Sequence, residues 1–259
     1  MMGRVICIAN QKGGVGKTTT AINLSASIAV AEKKVLLIDI DPQGNSTSGM
    51  GLRKEKAEGT IYQALLRGGG LKEMILKTAL GFLDMVISNT DLIGAEVELI
   101  QEKDREKKLD RLIREVETDY DFIFIDCPPS LGLLTINSLT ASHSVIIPLQ
   151  CEYYAMEGLG QLLKTIRLIK QALNPRLEIE GILLTMFDSR NNLSHQVAQE
   201  VRTHFKNKVF QTIIPRNIRL GEAPSHGKPV LLYDIHSKGA ESYLSLAKEI
   251  MGNGKIDDN

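Results

Sequence analysis

Six short apolar runs, separated by longer stretches whose apolar residues recur three and four apart, constrain this chain more than any other feature. The runs cover residues 4–9, 35–40, 83–87, 122–126, 144–148 and 179–186. Between most of them lie about 15 to 30 residues of helical period. Several runs are apolar on both alternations, as a strand must be when helices cover both of its faces. The pattern predicts an α/β fold: a doubly wound, mostly parallel sheet with helices on both faces. At 259 residues and 43% hydrophobic content, the chain can bury one such core. A single domain over residues 1–259 is expected, with no internal repeat and no long linker. In sheets of this kind ligands gather at the carboxyl ends of strands. Asn10, Asp39 to Asp41, Asp126 and residues 187–190 fall there.

Composition excludes several functions. Thirty-one basic residues balance thirty-one acidic ones, so no overall field selects nucleic acid or membrane, and any polyanion site must be local. No apolar run approaches the ~20 residues of a spanning helix, and no export signal opens the sequence. Cys7, Cys127 and Cys151 lie in or beside apolar runs and form no CxxC pair, which fits buried structural thiols in a reducing compartment. A cytoplasmic protein is expected. His195, His204, His226 and His236 have no ligand-like spacing, and His143 opens an apolar run alone; none is assigned to metal or catalysis.

Three segments depart from the alternation. Residues 52–71, with Gly59, Thr60 and Gly68 to Gly70, read as a surface excursion around a short helix. Residues 101–117 read as a solvated amphipathic helix on the sheet's flank, with Leu109, Leu112, Ile113 and Val116 as its stripe. The polar tail, 252–259, reads as frayed.

The first run leads into Asn10-Gln11-Lys12-Gly13-Gly14-Val15-Gly16-Lys17-Thr18-Thr19-Thr20 and then a helical stretch. Glycines there let the backbone turn its N–H groups inward, and the following helix points its positive end at the same place. A triphosphate fits, with Lys17 on the β and γ phosphates and the Thr18 hydroxyl on Mg²⁺. The standard pattern asks for glycine where Gln11 stands, and a second lysine, Lys12, follows. Two more runs end in carboxylates. Asp39 and Asp41 alternate onto one side of the second run's end, and Asp126 closes the fourth.

The form KGGxGK[ST] resembles the deviant P-loop NTPases of the ParA/MinD family. The resemblance implies an ATP sandwich dimer in which Lys12 reaches the partner's nucleotide. It implies ATP on residues 12–19, namely Lys12, Gly13, Gly14, Val15, Gly16, Lys17, Thr18 and Thr19, with Lys12, Lys17 and Asp41 catalytic. Asp41 would position the attacking water, Asp39 would lie close to the metal shell, and Asp126 would orient Mg²⁺ through its water. Within that family the chain is most similar to the ParA/Soj chromosome-partitioning branch. Asp41-Pro-Gln-Gly-Asn, Asp126-Cys-Pro-Pro-Ser-Leu, Thr185-Met-Phe-Asp-Ser-Arg and the stretch from Ile214 to Pro229 carry that similarity. The end, Gly-Lys-Ile-Asp-Asp-Asn, is not the basic amphipathic helix of a membrane-bound member. No N-terminal helix-turn-helix extension is expected.

Between Met186 and Val230 seven basic residues face three acidic ones. A patch of that size can hold phosphates without reading sequence. The resemblance makes Arg190 and Arg219 the leading DNA contacts, and makes the loop with Pro215 and Asn217 the adenine site. It also implies a homodimer in ATP, non-specific double-stranded DNA, a ParB-like adaptor, no membrane, and a nucleoid-associated location. The alternatives are a positioner of another cargo, such as a chemotaxis or carboxysome cluster, and a nucleotide-binding regulator with negligible turnover.

Overall fold

All six runs form strands, and a seventh joins them at one edge. The structure, a computed structural model, describes residues 3–53, 59–153 and 155–253. The strands are β1 (Arg4–Ile8), β2 (Val35–Asp39), β3 (Ile75–Lys77), β4 (Leu83–Val86), β5 (Phe122–Asp126), β6 (Ser144–Gln150) and β7 (Glu178–Thr185). They form one sheet in the order β3-β4-β2-β5-β1-β6-β7. Every pairing is parallel except β3 with β4. Burial on both faces explains the continuous apolar runs. In β1, Val5 and Cys7 enter the core on one face while Ile6 and Ile8 enter the core on the other; β5 divides Ile123 and Ile125 from Phe122 and Phe124 in the same way.

The helices are α1 (Lys17–Ala29), α2 (Asn45–Gly49), α3 (Ile61–Leu66), α4 (Leu92–Ile100), α5 (Lys108–Arg114), α6 (Leu133–Ala141), α7 (Ala155–Ala172), α8 (Asn192–Phe205), α9 (Ile218–Glu222), α10 (Val230–Tyr233) and α11 (Lys238–Asn253). One face is covered by α1 and α11 through Ile22, Leu24, Tyr243, Leu246 and Ile250. The other is covered by α3 to α8, with Leu92, Leu109, Leu139, Leu162 and Val201 among the buried contacts. None of the helices among the described residues is long and apolar enough to cross a membrane.

Two expectations change. Residues 59–71 are not a mere surface excursion, because Ile61, Ala64, Leu65 and Leu71 are buried in the main core. A capping box between Thr60 and Gln63 starts α3 there; residues 54–58 lie outside the described part. The helix expected over 101–117 shortens to α5, since Asp104 takes a left-handed backbone (φ 52) that interrupts helical geometry. Its stripe is buried as expected, with Leu109 and Val116 fully enclosed. The tail beyond 253 lies outside the described residues.

His143, unassigned from sequence, holds the pole opposite the strand ends. Its Nδ1 accepts the Val5 N–H at 3.0 Å and its Nε2 lies 3.5 Å from the Glu117 carboxylate. Burial lowers the imidazole's pKa below its ordinary value, with Arg176 and Arg4 adding to the effect against Glu117. The folded state therefore resists a proton that the unfolded chain accepts. The neutral ring's contribution is complete above the unfolded pKa of about 6.5 and is lost as the pH falls through the depressed folded value. Denaturant midpoints at pH 7 and pH 5 should fall further for the wild type than for His143→Gln. Equal falls would remove His143 from the acid sensitivity.

Candidate nucleotide site

β1 delivers the chain into a loop that its own glycines shape. Gly14 and Gly16 sit at φ 75 and φ 88, conformations that glycine alone adopts at little cost. Gly16 is the N-cap of α1 and provides no side-chain cap, and the helix has no acidic residue in its first turn. The first-turn N–H groups and the helix's positive end are thus left for an external anion. Above them lies a cleft of about 240 Å³ lined by Gly13, Gly14, Gly16, Lys17, Thr18 and Thr19, and closed by Asp41, Asn45, Pro129 and Met186. Val15 is buried instead, and its carbonyl accepts the Thr185 hydroxyl at 2.9 Å.

The two lysines face different ways. Lys17 is 6% exposed and donates to the Lys12 carbonyl at 2.9 Å. Burial lowers its pKa, opposed by Asp126, Cys127 and Asp41. Lys12 does not line the cleft; its ammonium pairs with Glu152 on the loop between β6 and α7. Gln11, where a glycine is usual, donates to the Gly158 carbonyl at 3.2 Å and to Gln161 at 3.1 Å, which fastens the loop's start to α7.

The three carboxylates differ more than their sequence positions suggest. Asp126 is fully buried at the end of β5; one oxygen accepts the Ser46 hydroxyl at 2.6 Å while Oδ1 has no hydrogen-bond partner. Asp41 is 6% exposed, borders the cleft, and accepts the Gln43 N–H at 3.0 Å. Asp39 is closed off. Its Oδ2 accepts the Thr47 N–H and hydroxyl at 2.8 and 2.7 Å, and its Oδ1 accepts the Asp41 N–H at 3.1 Å. β2 pairs with β5 so that Asp39 stands opposite Asp126. Burial raises the pKa of both, and Asp126 raises that of Asp39 further. The alternation that was to place Asp39 and Asp41 on one side of a strand ends at Asp39, because β2 stops there and the chain turns through Gly44 at φ 64.

These residues fit a magnesium ion bound with a phosphate. An orphaned buried carboxylate oxygen on Asp126 and the Thr18 hydroxyl near it are donors that a hard cation takes. No cluster of three or more His, Cys, Asp or Glu exists among the described residues to hold a metal unaided. Magnesium commonly shares its coordination between one or two carboxylates and substrate phosphates.

Beside the cleft a second cavity, about 200 Å³, is lined by Thr19, Thr185, Met186, Pro215, Asn217 and Leu220, with Tyr243 at its base. Asn217 caps α9 through Oδ1, which accepts the Arg219 N–H at 3.0 Å, and its amide NH₂ makes no hydrogen bond among the described residues. Met186, Leu220 and Tyr243 went unread in the sequence. Met186 borders both cavities with a left-handed backbone (φ 50).

Arg190 stands on the loop before α8 and Arg219 in the first turn of α9 rather than on a loop, and both are paired. Asp188 accepts from Nε and Nη2 of Arg190 at 3.0 and 2.9 Å, and Arg190 holds the Asp188 carboxyl down to about 2. Arg219 pairs with Glu222 at 2.8 Å and Asp234 at 3.2 Å. Lys208 donates to the Ile179 carbonyl, and Arg202 to the Phe210 carbonyl. All three cysteines are free and buried, and burial raises the Cys127 and Cys151 thiols, that of Cys151 to about 11.

A family described as an AAA domain matches residues 3–179. The chromosome partitioning protein ParA of Myxococcus xanthus is 60% identical over 250 residues, which cover 96% of this chain and 88% of that protein. The sporulation initiation inhibitor protein Soj of Bacillus subtilis is 56% identical over 253 residues, which cover 98% of this chain and 100% of that protein. Among solved structures, one described as cobyrinic acid a,c-diamide synthase from Mycobacterium smegmatis with bound ADP and magnesium shares 37% identity. Its TM-score is 0.87, over 99% of this chain and 97% of that one. Because the two sequence relatives match at far higher identity along nearly the whole length, the chain belongs to the ParA/Soj family of chromosome-partitioning ATPases.

Proposed function

We propose that this chain binds ATP with Mg²⁺, dimerises on it, and as a dimer holds DNA without sequence preference. Hydrolysis, accelerated by a ParB-like adaptor on the replicon to be moved, releases the dimer. The observation that carries the reading is the separation of the two loop lysines: one ammonium is inside the phosphate cleft and the other outside it, beside Glu152. A lysine held outside its own cleft is available to a nucleotide on a second copy.

In this reading Lys17 leaves the Lys12 carbonyl for the β and γ phosphates, and the first turn of α1 supplies N–H donors. The base takes the neighbouring cavity, where Pro215 and Leu220 give apolar contact and the Asn217 NH₂ can donate. Thr18 and the free oxygen of Asp126 would hold Mg²⁺, directly or through water, and the ion would neutralise phosphate charge. Asp41 orients a water whose oxygen bonds to the γ-phosphorus as the bond to the β–γ bridging oxygen breaks, giving ADP and inorganic phosphate. Positioning and charge supply most of the catalysis in such transfers. Asp39 then acts as the support that ties the Asp41 turn to α2 through Thr47. For DNA, Arg190 and Arg219 must exchange their carboxylate partners for phosphates, which costs little, since solvent and salt screen exposed ion pairs. A nucleoid-associated location follows from that binding.

The test is Lys12→Ala. It should keep nucleotide on the monomer at near wild-type affinity by calorimetry and yet stay monomeric in ATP by light scattering. A variant that dimerises normally would sink the cross-subunit role.

A further inference from the structure

The chain leaving β2 is pinned to both of the strands that flank it. On one side Ile40 donates its N–H to the Asp126 carbonyl at the end of β5, at 3.1 Å. On the other side Ser88, two residues beyond β4, donates its hydroxyl to the Asp41 carbonyl. Ser88 is fully buried. Its backbone N–H donates to the Thr47 hydroxyl at 3.0 Å. The turn after Asp41 also packs on it closely, since a Cβ added to Gly44 would lie 3.6 Å from the Ser88 carbonyl oxygen.

These bonds close a ring. Asp41 donates its N–H to Asp39, Ser88 donates its hydroxyl to the Asp41 carbonyl and its N–H to Thr47, and Thr47 donates its hydroxyl back to Asp39. Both polar groups of the Asp41 backbone are thereby held. The Gln43 N–H occupies its Oδ1, and Oδ2 makes no hydrogen bond among the described residues, so Oδ2 is the oxygen left for the cleft. The bonds from Gln43 and Gly44 come from within the turn itself and move with it. Among the described residues, Ser88 is the one hydrogen-bond partner of Asp41 outside residues 39–44. A misplacement of about 1 Å in a group that orients a reactant can cost about a hundredfold in rate.

We propose that Ser88 is a positioning residue for ATP hydrolysis: its hydroxyl, acting through the Asp41 carbonyl, holds the Asp41 carboxylate where it orients the attacking water. The proposal rests on the water-orienting role read for Asp41 above. It places part of the catalytic geometry on the loop after β4, whose residues do not line the nucleotide cleft.

Ser88→Ala removes the hydroxyl with little change of volume, and Ser88→Thr restores it. Ser142→Ala is the control, because it deletes another buried hydroxyl, one that donates to the Ser138 carbonyl away from the cleft. For each full-length variant, single-turnover hydrolysis is measured at saturating ATP and Mg²⁺ with random-sequence duplex DNA. Calorimetry gives the affinity for AMPPNP and for ADP with aluminium fluoride, which mimics the phosphoryl group in transfer. Ser88→Ala should lower the hydrolysis rate about tenfold to a hundredfold and weaken ADP with aluminium fluoride by a similar factor, with AMPPNP affinity within about threefold. Ser88→Thr should recover most of the rate, and Ser142→Ala should keep all of it. In an Asp41→Asn background Ser88→Ala should cost nothing further, since residues acting as a unit are not additive.

A wild-type rate in Ser88→Ala beside an inactive Asp41→Asn would overturn the role of Ser88 and leave that of Asp41 standing. Equal losses for AMPPNP and for ADP with aluminium fluoride, or a loss matched by Ser142→Ala, would reduce Ser88 to a structural hydroxyl and overturn the proposal. That split between the two ligands decides the matter even where the extra methyl of Ser88→Thr packs badly. A wild-type rate in Asp41→Asn would remove the reading of Asp41 itself, and the role of Ser88 with it.

Discussion

Lys17→Ala is expected to weaken ATP binding by two to three orders of magnitude and to abolish ATP-dependent dimerisation and DNA binding with it. Lys17 is buried at the start of α1, where its ammonium is the one lysine charge inside the cleft. Truncating one partner of a desolvated charge pair costs about 2 to 5 kcal/mol, and each 1.4 kcal/mol is about a factor of ten. The N–H groups of the loop remain, so weak binding should persist where Lys17 supplied strength. Because Lys17 also donates to the Lys12 carbonyl, Lys17→Gln serves as the control that keeps a donor while removing the charge. Titration calorimetry with ATP and Mg²⁺ measures both variants. Near wild-type affinity in Lys17→Gln would mean that the phosphates are held elsewhere.

Asp41→Ala is expected to separate binding from turnover. A carboxylate that orients the attacking water acts in the transition state and leaves ground-state affinity nearly unchanged. Turnover should fall by about two to four orders of magnitude, as for a lost proton-handling group, with ATP affinity within about threefold. Asp41 has a second task, since its Oδ1 accepts the Gln43 N–H in the turn after β2. Asp41→Asn keeps that acceptor and removes the charge, so it should lose turnover as severely without loosening the turn. Single-turnover assays with DNA and adaptor present measure the loss. Wild-type hydrolysis in Asp41→Asn would shift the role to another group. Asp39 is a poor candidate for it, having three protein donors on its carboxylate.

The parts of this molecule readable in the sequence are those where one local constraint dominates. Strands covered on both faces must be apolar at every position, so β1, β2 and β5 announce themselves, and the carboxylates that end β2 and β5 follow directly. The loop before α1 is equally local, because phosphate binding demands glycine, lysine and threonine at fixed spacing. β3 was not legible: three residues paired on one side, within a segment whose Leu71, Met74 and Ile75 mimic helical spacing. The base cavity escaped for a different reason. Met186, Leu220 and Tyr243 come from β7's end, α9 and α11, and nothing in their own neighbourhoods marks the convergence. The same holds for charge. Seven basic residues against three acidic ones counted as a patch, yet Asp188, Glu222 and Asp234 occupy the two arginines first named, while Arg216 makes no ion pair among the described residues. A count of charges along the chain cannot tell a paired guanidinium from an unpaired one. Lys12 illustrates the limit well, since its departure from the usual pattern is visible while its partner, Glu152, lies far along the chain.

The most direct test of the ATP-driven switch is the solution mass of Asp41→Ala by light scattering, with ATP and Mg²⁺ or with ADP and Mg²⁺. With ADP the mass should remain that of one 28.6 kDa chain; with ATP it should double, and the dimer should stay on random-sequence DNA because hydrolysis no longer releases it. A mass that stays monomeric while calorimetry shows ATP bound would contradict the account.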